Sequence, residues 1–246
     1  MTINVQPTTE AMSRAAAAHA ADILRAALDE RGSATFVIAT GNSQLGFLGH
    51  LVKAEGIDWS RTTMFHLDEY VGISIEHPAS FVRYLQERFV QHVSPGTVHF
   101  IDGAASDPEA ERRRIGSLLH DAGEVDVAFV GIGENGHLAF NDPPADFDTT
   151  DPFLLVQLDD ACRRQQVGEG WFASLDMVPS QAITMSIRQI VAARRIVCTV
   201  PDERKAAAVA DCLSERLPVS PERPASILRT HDECTVFLDA AAASRM

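Results

Sequence analysis

Basic residues are scarce in this chain: 21 Lys and Arg stand against 34 Asp and Glu, for a formal net charge of -13 over 246 residues. Such a surface repels phosphate backbones and anionic lipid, which argues against nucleic acid and membrane as partners. An anionic ligand would need a local positive site built against the global field. Cysteine is sparse too. Cys162, Cys198, Cys212 and Cys234 show no CxxC spacing, which points to reduced thiols in a cytosolic protein and not to a disulfide framework. No basic segment precedes an apolar run at the start, and no apolar stretch approaches the ~20 residues of a membrane span. The expected location is therefore cytoplasmic. The sequence also has no GxxxxGK[ST], no HxH or HExxH and no GxSxG. These gaps argue against a nucleoside-triphosphate P-loop, a metal site and a hydrolase nucleophile elbow, so neither metal nor cofactor is expected.

What is present is an ordinary globular balance, 46% hydrophobic and 22% charged, in a length compatible with one domain spanning residues 1–246. Helical spacing runs from Thr9 to Arg31 and stops at Gly32, and a short apolar run at 34–39 reads as a buried strand. Helical patterns follow at 45–55, 80–92, 107–122 and 202–213. Strand patterns follow at 62–67, 125–130, 195–200 and 234–238, with further apolar runs at 154–158 and 182–187. Strands alternating with helices of this length predict right-handed βαβ units. The expected fold is α/β: a three-layer, largely parallel, doubly wound sheet with helices on both faces, Rossmann-like. In such a sheet the functional loops lie beyond the carboxyl ends of the strands.

Three of those ends carry polar residues. Thr40, Gly41, Asn42 and Ser43 offer hydroxyls and backbone N–H groups where a helix begins, suited either to an anion or to a simple N-cap. Asp68 and Glu69 follow an apolar strand, where a partly buried carboxylate can be tuned towards general-base work. Adjacent residues of an extended chain point to opposite sides, so Asp68 is the expected base. The third end, Gly131-Ile132-Gly133-Glu134-Asn135-Gly136-His137, has the spacing of a dinucleotide fingerprint, but Pro143 and Pro144 would end the required helix at once. Close-packed glycines with His137 and Asp142 instead suit a small substrate and an imidazole oriented by a carboxylate.

Together, Phe65 to Gly72 with His77 to Phe81, and Gly131 to Pro143, resemble the glucosamine-6-phosphate deaminase (isomerase) family, which is related to the 6-phosphogluconolactonases. Thr40–Ser43, Lys205 within Pro201 to Ala206, and Pro224 to Leu228 extend the likeness over roughly residues 10 to 240. The resemblance implies aldose–ketose isomerisation coupled to loss of ammonia, giving fructose 6-phosphate without a metal. It makes Asp68 the base that moves a proton between C1 and C2, and His137, held by Asp142, the group that assists ring opening. By the same likeness Asn135 belongs to the relay; Thr40, Gly41, Asn42, Ser43, Glu69, Gly133, Gly136 and Lys205 contact the sugar phosphate. This chain departs from the pattern in having Asn135 where many members have Asp, and Asp142 where Glu is usual. The stretch Cys162 to Phe172 does not align with the segment that carries the family's phosphate-binding arginine. Arg163 or Arg164 is the expected substitute. A lactonase-type hydrolase and a non-catalytic sugar-phosphate sensor are the competing readings, the first opposed by the residues after His137, the second by the lack of a basic face. The partner expected is a small-molecule sugar phosphate, with a homo-oligomer left open.

Overall fold

A computed structural model describes all 246 residues. Its strands are β1 (Thr2–Gln6), β2 (Ala34–Ile38), β3 (Thr62–His66), β4 (Asp68–Tyr70), β5 (Thr97–His99), β6 (Val127–Val130), β7 (Phe153–Gln157), β8 (Gln181–Met185), β9 (Ile196–Val200) and β10 (Cys234–Asp239). Seven of them form one sheet in the order β1-β10-β9-β6-β2-β3-β5. Every pairing within it is parallel.

Alternate residues of these strands feed two separate cores. Phe36, Ile38, Met64, Phe129 and Phe237 face one side, with Ala16, Ala20 and Leu24 of the helix Thr9–Arg31. Val37, Phe65, Ala128, Val130 and Cys198 face the other, with Ile115 and Leu119 of the helix Pro108–Ala122 and Val209 and Leu213 of the helix Ala206–Leu213. A strand buried on both faces needs apolar side chains at every position, which is why these runs are continuous and not alternating. The long first helix is closed at both ends. The Thr8 hydroxyl accepts the Ala11 N–H, and Gly32, at φ +80°, donates its N–H to Leu28.

The sequence pattern missed three features. Edge strands β1 and β5 are short and carry mixed polarity, so neither shows an apolar run. The stretch after Ser80 is not one α-helix: Phe81–Leu85 is α-helical, Gln86–Val90 is a π-turn segment, and Gln91–Val93 returns to α. Finally, β4, β8 and β7 form a second, antiparallel sheet in that order. Single-sequence periodicity carries no information about which strands pair, and β4 has only three residues.

The small sheet is joined closely to the large one. It grows directly from β3, separated from β4 by Leu67 alone, and its surroundings hold an aromatic cluster of Tyr70, Phe81, Phe140 and Phe172. In the large sheet, β9, β6, β2 and β3 are successive neighbours. The chain leaves β2 for β3 on one side and places β6 on the other, which opens a crevice at their carboxyl ends.

Candidate active site

The crevice is a cleft of about 560 Å³, its open mouth included, and it collects the ends of those strands. Asp68, His137, Gly133, Thr40, Gly41, Asn42, Ser43 and Lys205 all line it. Four chain segments separated by up to 165 positions thus meet in one place.

Asp68 is 6% exposed at the start of β4 and pairs in register with Thr184 of β8. Burial, and then the neighbouring charge of Glu69, push its carboxyl up to about 8. Glu69 points the other way. It accepts the N–H groups of Tyr70 and Val82, both at 2.9 Å, and the Ser80 hydroxyl at 3.0 Å. Burial raises it to about 7 against the pull of those donors. Glu69 therefore anchors the helix that starts at Phe81 and does not reach the cleft, which corrects its expected place among the substrate contacts. The pleat is the reason: successive strand residues face opposite sides.

His137 is held from behind. Its Nδ1 lies 3.2 Å from Oδ1 of Asp142, an ion-pair distance without the alignment of a good hydrogen bond. Asn135 braces both residues: its side-chain amide donates to Asp142 at 3.0 Å and its oxygen accepts the backbone N–H of His137 at 3.1 Å. Burial works to raise Asp142, but the close approach and charge of His137, together with the Asn135 amide and the Asp159 N–H, outweigh it and hold the carboxyl below its ordinary value. Asp142 and Asn135 do not line the cleft; they touch the residue that does. Cys162 stands beside them, and His137, Asp142 and Cys162 place ligand-type atoms within 4.8 Å of one another. A metal there would have to take over the atoms that orient His137.

Two glycines have specific tasks in this loop. A Cβ at Gly133 would lie 2.2 Å from the His137 ring, so only glycine leaves the imidazole its place. Gly136 adopts φ +85° and turns the chain, while its carbonyl accepts the Ala225 N–H; it is a turn residue outside the cleft lining. The small sheet then secures the loop. The Phe140 N–H donates to the Thr184 hydroxyl at 3.0 Å, and the Asn141 amide donates to the carbonyls of Leu138 and Met185. Thr184 thus meets both pieces, as the register partner of Asp68 and the acceptor of the Phe140 N–H.

On the opposite wall, Gly41 takes φ +96° and its carbonyl accepts the Tyr84 hydroxyl at 2.9 Å. Neither Asn42 nor Ser43 caps the following helix with its side chain, which leaves the simple cap reading without support here. Buried Gln44 stitches the wall together, donating to the Ser43 hydroxyl and accepting the Thr199 hydroxyl at 3.0 Å. Lys205 is 5% exposed in a short 3-10 turn. Burial lowers its ammonium, opposed chiefly by the charge of Glu169.

Arg163 and Arg164 are not in the cleft. Arg163 donates to the carbonyls of Leu175 and Val178, and Arg164 is an exposed side chain 3.7 Å from Asp160. The first is spent on tying down a loop and the second faces solvent, so neither is the substitute cation expected from sequence. Gln165, Gln166 and Glu169, on and just after the helix Asp160–Gly168, line the cleft instead. Nothing in the one-dimensional pattern marked them. The only hint is the uncommon run of two glutamines, Gly168, Glu169, Gly170 and Trp171 before Phe172.

Residues 7–237 match the family described as glucosamine-6-phosphate isomerases/6-phosphogluconolactonase. Glucosamine-6-phosphate deaminase 1 of Bacillus subtilis is 36% identical over 242 residues, 96% of each chain. A glucosamine-6-phosphate deaminase of Exiguobacterium is 39% identical over 208 residues, 85% of this chain and 79% of the relative. Among solved structures, a monomeric glucosamine-6-phosphate deaminase superposes with TM-score 0.91 at 33% identity over the whole of both chains. A 6-phosphogluconolactonase from Shewanella baltica shares the fold, with TM-score 0.79 at 22% identity over 98% of each chain.

Proposed function

The chain belongs to the glucosamine-6-phosphate isomerase/6-phosphogluconolactonase family, and from that premise we propose that it is an enzyme converting glucosamine 6-phosphate, or a close amino-sugar phosphate, to fructose 6-phosphate and ammonia. The observation that carries the reading is the meeting of Asp68 and His137 in one cleft, one a buried carboxylate raised to about 8, the other an imidazole braced by Asp142. The relatives with high coverage are deaminases, whereas the lactonase likeness at 22% identity speaks for fold alone.

In this reading His137 moves a proton between the ring oxygen and the C1 hydroxyl, opening the sugar. Asp68 then takes the C2 proton and returns it at C1, and water displaces the nitrogen from C2. The sum is one amino-sugar phosphate and one water giving one ketose phosphate and one ammonia. The C2 proton is a poor acid, so the base must be close, oriented and not too weak; a carboxylate whose conjugate acid lies near 8 suits that task. Lys205 and the loop Thr40–Ser43 hold the phosphate. The four cysteines are all free and buried, which supports assignment to the cytoplasm.

The test is ammonia release from glucosamine 6-phosphate, galactosamine 6-phosphate and their N-acetyl forms, with 6-phosphogluconolactone hydrolysis measured alongside. Ammonia from an unacetylated amino-sugar phosphate is expected. Lactone turnover without ammonia from any of the four would overturn the reading.

A further inference from the structure

The anion end of the cleft contains a carboxylate. Glu169 and Lys205 approach to 4.0 Å, with side chains only 8% and 6% exposed. Glu169 is built in, not drifting: one oxygen accepts the Gln165 amide at 2.8 Å and the other the Trp171 indole N–H at 3.3 Å. Its own backbone carbonyl accepts the Asn42 amide at 3.3 Å, which joins it to the loop opposite. Four residues of the cleft, Asn42, Ser43, Glu169 and Lys205, also line an adjoining pocket with Arg204 and Asp202.

The charges around this point do not favour a dianion. Lys205 is balanced by Glu169. Arg204 is taken up by Asp202 at 2.9 Å and faces Glu134 at 3.7 Å. Tyr70 and Tyr84, whose hydroxyls burial keeps protonated, feel Glu169 as well, and Asp68 lies in the same cleft. A doubly charged phosphate beside Lys205 would sit against a fixed, desolvated carboxylate, and like charges a few ångströms apart repel strongly where water is excluded. A phosphate that keeps one proton meets no such barrier. Its P–OH can donate to the free lone pairs of Glu169 while its other oxygens take Lys205 and the loop hydroxyls, a charge-assisted bond in place of a repulsion.

Resting on the sugar-phosphate reading, we propose that Glu169 is a specificity residue: it accepts a hydrogen bond from a singly protonated phosphate, so the cleft selects a protonatable phosphate group over an oxyanion of the same shape that carries no proton. Sulfate is the matching probe, since it is tetrahedral and doubly charged but unprotonated at neutral pH.

Calorimetric titration of the intact protein with inorganic phosphate and with sulfate tests this without requiring turnover. Wild type is expected to bind phosphate at least about thirtyfold tighter than sulfate near neutral pH, because only sulfate has no proton to donate to the carboxylate. Affinity for a phosphate monoester such as glycerol 3-phosphate, which loses its last proton near pH 6, should fall by about tenfold or more between pH 5 and pH 8, whereas inorganic phosphate keeps a P–OH throughout that range. In Glu169→Gln the two anions should bind within about threefold of each other, and the pH dependence should flatten. Equal affinity of wild type for the two anions overturns the proposal even if the variant fails to fold, and so does discrimination that survives in Glu169→Gln. A chain that discriminates the anions but releases no ammonia would leave the role of Glu169 standing while removing the deaminase reading.

Discussion

At the scale of single residues, the proposed chemistry turns on one carboxylate held out of water. Asp68 has a folded value near 8 against an ordinary 3.8. The folded state therefore binds that proton more tightly than the unfolded chain, so stability falls as pH rises from about 4 to about 8 and changes no further above it. Asp68→Asn removes the group that causes the loss. The variant should abolish turnover while substrate binding persists. It should also raise stability near pH 8 by on the order of 5 kcal/mol and leave it unchanged near pH 4. Thermal melts of both proteins across that range check the second expectation, and a variant that melts lower than wild type at pH 8 contradicts it. For the wild-type enzyme, kcat at saturating substrate should climb with pH and level off near 8 as the base ionises, whereas kcat/KM also carries the loss of the protonated phosphate. A profile already flat at pH 6 would mean that the essential base is another group.

At the scale of elements, two short pieces of chain that look unpromising alone are positioned by a third. The glycine-rich loop places His137, β4 places Asp68, and β8 meets both pieces at Thr184, which is the register partner of Asp68 and accepts the Phe140 N–H of the loop. The loop is also crowded at one point. A methyl at Gly133 would occupy the volume of the His137 ring, and the ring can yield only by leaving Asp142 and the cleft. Gly133→Ala should therefore lower kcat by about a hundredfold through misplacement of the imidazole, with a much smaller change in melting temperature. Steady-state kinetics beside a melt separate the two effects. A variant that unfolds at room temperature, or one that keeps full kcat, would show that the ring is not what the methyl displaces.

At the scale of the whole molecule, the acidic surface opposes the substrate that the cleft is proposed to take. With a net charge of -13, long-range repulsion should slow the encounter with a sugar phosphate. Added salt screens exposed charges but scarcely touches the buried Lys205 and Glu169. Raising NaCl from about 0.01 to 0.15 M should thus increase kcat/KM a few-fold, the opposite of electrostatic steering. A monotonic fall over that range would indicate a local positive field that dominates the approach.

The α/β class, the main strands and Asp68, His137, Asp142 and Thr40–Ser43 as candidates were legible from the residue pattern, and Lys205 from the family resemblance alone. Continuous apolar runs bounded by turn residues suit strands buried on both faces, and polar residues directly after them mark the carboxyl edge. Contact is another matter. Whether Glu69 shares the cleft with Asp68, whether Arg163 reaches an anion, and whether Glu169 does, depends on which strands pair and how one short helix is laid against the crevice. Local pattern is set by each residue's neighbours in the chain, whereas the antiparallel sheet is completed by pairing β4 with β8, from a distant part of the chain. Only the folded chain brings Glu169 against Lys205 and turns Glu69 away.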